Sequence, residues 1–239
     1  MIRSVHGNND GREVGEGFAS EDFAARLREA VARPLKGWRE VYESFSPLDL
    51  ETGDRRPRVP EPGTDARRAA VLVPVLLDTE GARLVYTVRK DDLQDHAGQI
   101  SFPGGAPEPE DDSLLMTALR EAEEEINLRP DIVDVIGELE EMYIPPSGFL
   151  VSPFVGLLRQ EAELTLDPEE VEAIFSVSIE KLMSPDSFRK VIWEREGRPH
   201  EVPVFAVEGH EIWGATAAIT AGLLARLGWE IGGTTTTED

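Results

Sequence analysis

Residues 98–128, GQISFPGGAPEPEDDSLLMTALREAEEEINL, decide how the rest of the chain is read. Ser113 is a good N-cap, Asp111 and Asp112 stand before it at the positive end of a helix dipole, and Leu114 to Ile126 are nearly all strong helix formers, which predicts a helix over 114–126. At about 100° per residue, Leu115, Ala118, Leu119, Ala122 and Ile126 share one face. Glu121, Glu124 and Glu125 fall in an arc of roughly 100° beside it, and Glu123 points elsewhere. Like charges three and four residues apart repel by roughly a few tenths of a kcal/mol per pair, so the stripe is costly unless a cation sits among the carboxylates.

In a chain this acidic, a Glu-rich helix is by itself most often a solvated face. The loop before it points elsewhere. Phe102-Pro103-Gly104-Gly105 joins an apolar stretch to the acidic segment, and paired glycines let main-chain carbonyls approach a bound ion or phosphate. Loop and helix together read as a site for a hard divalent cation, Mg²⁺ or Mn²⁺, which takes oxygen ligands from one or two carboxylates, waters and substrate phosphates.

Gly105, Asp111 and the run Arg120-Glu121-Ala122-Glu123-Glu124-Glu125-Ile126-Asn127-Leu128 resemble the signature of the Nudix hydrolases, which cleave a diphosphate linked to another moiety. Three departures stand out. Asp111 takes the place of the first Glu, eight residues rather than seven separate it from Arg120, and Asn127 replaces the late Gly. Asn tolerates the left-handed helix-terminal conformation nearly as well as Gly. The Asp and the extra residue are similar to the coenzyme A pyrophosphatase-like subgroup. Its upstream signature is matched here by Thr87, Arg89, Leu93, His96, Gly98, Gln99, Phe102, Pro103, Gly104 and Gly105, with Lys90 and Gln94 departing. The resemblance runs from about Arg68 to Leu227. It implies an α/β (α+β) Nudix-fold α/β/α sandwich with a mixed central sheet, Glu121, Glu124 and Glu125 with the Gly104 carbonyl as metal ligands, and Arg120 orienting those carboxylates. It implies coenzyme A or a derivative as substrate. Another nucleoside diphosphate derivative or a nucleoside triphosphate, and a catalytically idle nucleotide-sensing module, are the alternatives.

Outside the motif, 239 residues with 40% hydrophobic content suit one decorated domain. There is no Cys, which excludes disulfides and thiolate metal sites and fits a reducing compartment. No window approaches the roughly 20 apolar residues of a membrane span, and MIRSVHGNNDGREVGEG lacks an apolar stretch, so a cytoplasmic protein is expected. A net charge of −23, with four lysines among 24 basic residues, disfavours nucleic acid as a partner and is consistent with a salt-rich cytoplasm. A homodimer is one assembly left open. The same field repels a diphosphate, a conflict relieved if metal ions neutralise the carboxylates and if Arg55, Arg56, Arg58, Arg67 and Arg68 gather at the mouth of the site; a solvated linker is the other reading of that cluster.

In chain order, residues 1–18 read as a disordered N-terminus, 19–66 as a helix (Ser20 to Leu35) and a Pro-rich linker from 46, 67–230 as the catalytic domain and 231–239 as a disordered tail. Strands are predicted over Arg68–Leu77, Arg83–Arg89, Val133–Met142, Val151–Leu158, Ala173–Val177, Phe188–Trp193 and Glu201–Val207, with a short helix at Ser178–Met183 and a long one from Ile212 to Leu227. Arg68, Arg89, His96, Gln99 and Phe149 are candidates for holding the substrate. His96 reads equally as a hydrogen-bonded loop histidine. Tyr143 to Phe149 is expected to be a loop that either walls the adenine or pantetheine end or simply turns the chain. Many Nudix enzymes supply a further Glu from a late loop, and Glu170 matches that position best; an acidic N-cap region is the plainer reading.

Overall fold

The computed structural model describes residues 21–78, 81–90, 99–159, 163–195 and 197–231. The expected terminal segments 1–18 and 232–239, His96 with the rest of 91–98, and the N-capping of the first helix by Ser20 lie outside them.

The twelve-residue strand β2 (Arg67–Asp78) follows from an almost unbroken apolar run, and it is buried on both faces as such runs require. Alternation along it divides the interior in two. Ala70 and Leu72 pack with Ala118, Leu119, Ala122 and Ile126 of the acidic helix, whereas Val73 and Val75 join the larger core on the opposite face. β2 lies parallel to β8 (Phe149–Arg159) and antiparallel to β3 (Gly81–Arg89), which in turn pairs with β4 (Ile100–Ser101) and β9 (Val171–Ser178). With β5 (Gly104–Gly105) on β2, and β6 (Asp134–Glu138) and β7 (Met142–Ile144) on β8, these make a mixed sheet of eight strands. The helix α3 (Leu114–Ile126) covers one face; α1 (Glu21–Val31) and α5 (Gly214–Arg226) pack into the core on the other. This is the expected α/β/α sandwich.

A second sheet closes the larger core. It comprises β1 (Leu48–Asp49), β10 (Phe188–Arg195), β11 (Arg198–Val207) and β12 (His210–Trp213), with α2 (Trp38–Ser44) and the short α4 (Ile179–Met183) nearby. Phe45, Phe188, Phe205 and Trp229 interlock there, with ring centroids 5.2–6.4 Å apart.

Four expectations are corrected. The strand over Val133–Met142 is two strands: Gly137, at φ 149°, shifts the register against β8, and Leu139 breaks away to donate its N–H to the Pro153 carbonyl. A Cβ at Gly137 would stand 2.8 Å from Val31 of α1, so the bulge is where the helix presses on the sheet. Tyr143 to Phe149 does turn the chain, as its plainer reading has it, but its ends are strand rather than loop: Tyr143 and Ile144 pair with Leu150 and Phe149 in a hairpin. The last helix starts at Gly214, because Ile212 and Trp213 pair with Phe205 and Val204 in β12. The stretch 46–66 is not merely a linker: Leu48 and Asp49 pair with β11, and Arg58 is buried, donating to the Phe45 carbonyl.

α3 has the predicted ends. The Ser113 hydroxyl accepts from the Met116 N–H, and Asn127 closes the helix in the left-handed conformation at φ 53°, returning its N–H to the helix carbonyls. A β-branched residue pays a penalty of about 1–2 kcal/mol there. Asn127→Gly will therefore leave denaturant-unfolding stability nearly unchanged while Asn127→Val lowers it by about 1–2 kcal/mol; equal stability of the two variants would contradict this account of the helix end.

Candidate active site

The loop is held in place before it reaches the acidic helix. Phe102 is buried and stacks on Tyr86 with centroids 4.8 Å apart, and the Pro103 carbonyl accepts from the Leu72 N–H at 2.9 Å. Gly104 and Gly105 then pair with Val71 and Ala70 of β2. A Cβ at Gly104 would lie 2.3 Å from the Ala70 carbonyl oxygen, and one at Gly105 would lie 2.3 Å from Oε1 of Glu121. Two glycines are thus what lets a strand of backbone fit between β2 and the helix carboxylates.

Downstream, Asp111 ties the loop to α3. It accepts from the Glu108 N–H and the Thr117 hydroxyl, each at 2.9 Å, and takes both Nε and Nη2 of Arg120 at 3.1 and 3.0 Å. That bidentate pairing holds the Asp111 carboxyl well below the usual carboxylate range. The Arg120 guanidinium reaches on to Oε2 of Glu124 at 2.8 Å, to Oε1 of Glu121 at 3.1 Å and to the Ala106 carbonyl at 3.2 Å. Arg120 therefore organises two of the three carboxylates.

Glu125, the third, is different. Its side chain is 3% exposed, its nearest cation is Nη1 of Arg89 at 3.6 Å, and its Oε2 is buried with no hydrogen-bond partner. Burial pushes its carboxyl up to about 8; Arg89 and a hydrogen bond from the Gly104 backbone oppose the rise, and the negative charges of Glu121 and Glu170 add to it. Glu121 is also raised, chiefly by burial. As placed, the carboxylates are drawn toward two different guanidiniums, and among the described residues no three acidic or histidine side chains stand close enough to enclose an ion.

The remaining candidates fall into two groups. Glu170 is exposed at the end of a loop that docks on the helix terminus through the Asp167 N–H to the Glu125 carbonyl, and its charge is felt by both Glu121 and Glu125. The Arg89 backbone N–H donates to the Gln99 carbonyl, its guanidinium reaches Glu125, and the next N–H, of Lys90, donates to the Glu170 carbonyl, so Arg89 links Gln99, Glu125 and the Glu170 loop. The expected gathering of arginines is not found. Arg68 is paired with Glu141 and Ser152, Arg55 with the Ser46 carbonyl and Glu201, and Arg58 is buried. The guanidinium over the Phe149 ring, 4.2 Å from its centroid, belongs to Arg67. Sequence reading passed over that pairing. The parallel register that sets Arg67 beside Phe149 was its missing signal.

The acidic helix and the diglycine strand thus meet inside an α/β/α sandwich. The NUDIX domain model matches residues 66–197, and the chain belongs to the Nudix family. It is similar to a Nudix hydrolase NudL of Photorhabdus laumondii, described as uncharacterized, with 41% identity over 153 residues that span 64% of this chain and 81% of the relative. NudL of Yersinia pestis is 40% identical across 64% of this chain and 76% of its own. Among solved structures, the MutT protein of Methanosarcina mazei Go1 aligns with a TM-score of 0.46 at 17% identity over 70% of this chain and 99% of that one. The C. elegans Ap4A hydrolase complex aligns at 0.41 and 18% identity, over 47% and 80% respectively. Nudix hydrolases generally use divalent metal ions, and the site fits one: a buried carboxylate oxygen lacks a partner, and burial raises the carboxyl that bears it to about 8, a cost that a cation beside Arg89 would offset. No helix among the described residues is long and apolar enough to cross a membrane.

The raised Glu125 has a measurable consequence. Between the ordinary value of 4.5 and about 8 the folded metal-free protein holds a proton that the unfolded chain has lost, so this group makes stability fall as pH rises through that window. Glu125→Gln removes the slope. In chelator, its melting temperature relative to the parent will climb between about pH 5 and about pH 8; parallel curves would contradict the assignment.

Proposed function

We propose that this Nudix enzyme hydrolyses the diphosphate of coenzyme A or a coenzyme A derivative, in the cytoplasm, with Mg²⁺ or Mn²⁺. The observation that carries the chemistry is the Gly104–Gly105 strand laid against the carboxylates of α3, one of them with an unpartnered buried oxygen. Support for the substrate comes from the resemblance of Thr87, Arg89, Gln99 and Phe102 to Gly105 to the coenzyme A pyrophosphatase-like subgroup, with the Arg89 guanidinium 3.6 Å from Glu125 and the Gln99 backbone bonded to that of Arg89.

Glu121, Glu124, Glu125 and the Gly104 carbonyl would hold the metal. When bound, such an ion lowers the pKa of a water and offsets negative charge on the phosphate oxygens. The chain's own residues do the rest. Arg120, anchored by Asp111, holds Glu121 and Glu124 toward one guanidinium, and completing the ligand set would require Glu125 to turn from Arg89 toward them. Arg89, whose guanidinium stands 3.6 Å from Glu125, would bind a phosphate oxygen. Water attacks one phosphorus in line, its O–P bond forming as the bridging P–O bond breaks. Its proton passes to a carboxylate, and Glu170, exposed and within electrostatic reach of Glu121 and Glu125, is the base we assign. The partner is a small molecule, not nucleic acid.

Purified protein incubated with coenzyme A and Mg²⁺ or Mn²⁺ will give phosphopantetheine and adenosine 3′,5′-bisphosphate by mass. Glu125→Gln will lower kcat by about a hundredfold or more, and Glu170→Gln by about the same factor with a changed pH profile. Release of nucleoside monophosphate from other diphosphates, with coenzyme A untouched, would move the substrate assignment elsewhere. Unchanged turnover in Glu125→Gln would remove that residue from the mechanism.

A further inference from the structure

The smaller sheet ends on β10, whose far side pairs with no strand among the described residues. Its sequence, FRKVIWER over 188–195, exposes Ile192 at 60%, the most exposed of the large hydrophobic side chains described. β10 and β11 form a hairpin in which Arg195 faces Arg198 across a two-residue connection, then Trp193 faces His200 and Val191 faces Val202. In such a hairpin the closing pair is hydrogen-bonded and pairs alternate from there, so Arg189, Val191, Trp193 and Arg195 direct N–H and C=O toward β11. Lys190, Ile192 and Glu194 direct theirs away, to the free edge. Charged edge residues ordinarily discourage strand addition, but here the charges are of both signs and flank an apolar centre.

We propose that β10 is a self-association surface, and that its occupant is β10 of a second copy of this chain, paired antiparallel about a two-fold axis through Ile192. The strand is complementary to itself in that register. Ile192 meets Ile192 of the second copy, Val191 meets Trp193 twice on the other face, and Lys190, whose ammonium already lies 2.8 Å from Glu201 of its own chain, meets Glu194 twice. Shifting the strands to put Val191 on the axis sets Lys190 against Ile192 and Glu194 against Phe188, losing both ion pairs. Only Arg189 and Arg195 are left as like charges across the seam, and Arg189 already carries a salt bridge to Glu211. One pair of eight-residue strands lies at the small end of specific interfaces, so the dimer dissociates on the order of micromolar.

The test is sedimentation equilibrium of the full chain across the micromolar range. The parent is expected to rise from the monomer mass to twice that mass. Glu194→Lys places Lys190 against lysine at both ends and will raise the dissociation constant about tenfold or more. The exchange Lys190→Glu with Glu194→Lys restores opposite charges and will bring the dimer back. Ile192→Pro removes an N–H that the register directs away from β11 and will abolish the dimer; near-UV circular dichroism checks that variant's fold, and the charge exchange decides if it misfolds. A parent that stays monomeric, or a dimer indifferent to Glu194→Lys, overturns the proposal.

Discussion

One constraint governs the structure: a carboxylate, Glu125, is buried beside a glycine backbone with a single guanidinium 3.6 Å away and one oxygen unpartnered. Such a group is stable only neutral, or charged with a cation close by. Each neighbouring element bears on that choice. Glu121 and Glu170 add negative charge, Arg89 and the Gly104 backbone remove part of its effect, and the two glycines keep out the Cβ atoms that would fill the space. The fold therefore stores a demand for positive charge at the place where we propose that a divalent ion binds.

The surrounding architecture keeps that demand in position. β2 separates two cores by simple alternation, and α3 is clamped to it by Ala118, Ala122 and Ile126. Small residues at the contact let the helix lie close, which brings Glu121 against the β5 backbone. Asp111 and Arg120 then join the loop to the helix with a two-toothed ion pair, which ties the carboxylate stripe to the loop that follows the diglycine strand. The repulsion within the stripe is relieved by Arg120 on one side and only in part, by Arg89, at Glu125 on the other.

The site's framework was legible because it is local. Ser113, the 3.6-residue spacing of the apolar face and Asn127 act within a few residues of themselves, and the helix has both predicted ends. The glycine pair was readable for the same reason, although its closeness to Ala70 and Glu121 was not. What the sequence hid depends on distant partners. Gly137 breaks a strand because Val31 packs there, Trp213 is a strand residue because Val204 lies opposite, and Leu48 pairs with Glu201. The arginines before the first long strand looked alike, yet a carbonyl, an aromatic ring and Glu141 each claim a different one. Residue type set their charge, and tertiary context alone set their use.

The most direct measurement is a crystal structure grown with Mn²⁺ and read by anomalous scattering. The account predicts an ion bound by Glu125 with Glu121 or Glu124 and the Gly104 carbonyl, with Arg89 drawn away from Glu125. Absence of anomalous density there at saturating Mn²⁺, with Glu125 still on Arg89 and Glu121 and Glu124 still on Arg120, would contradict it.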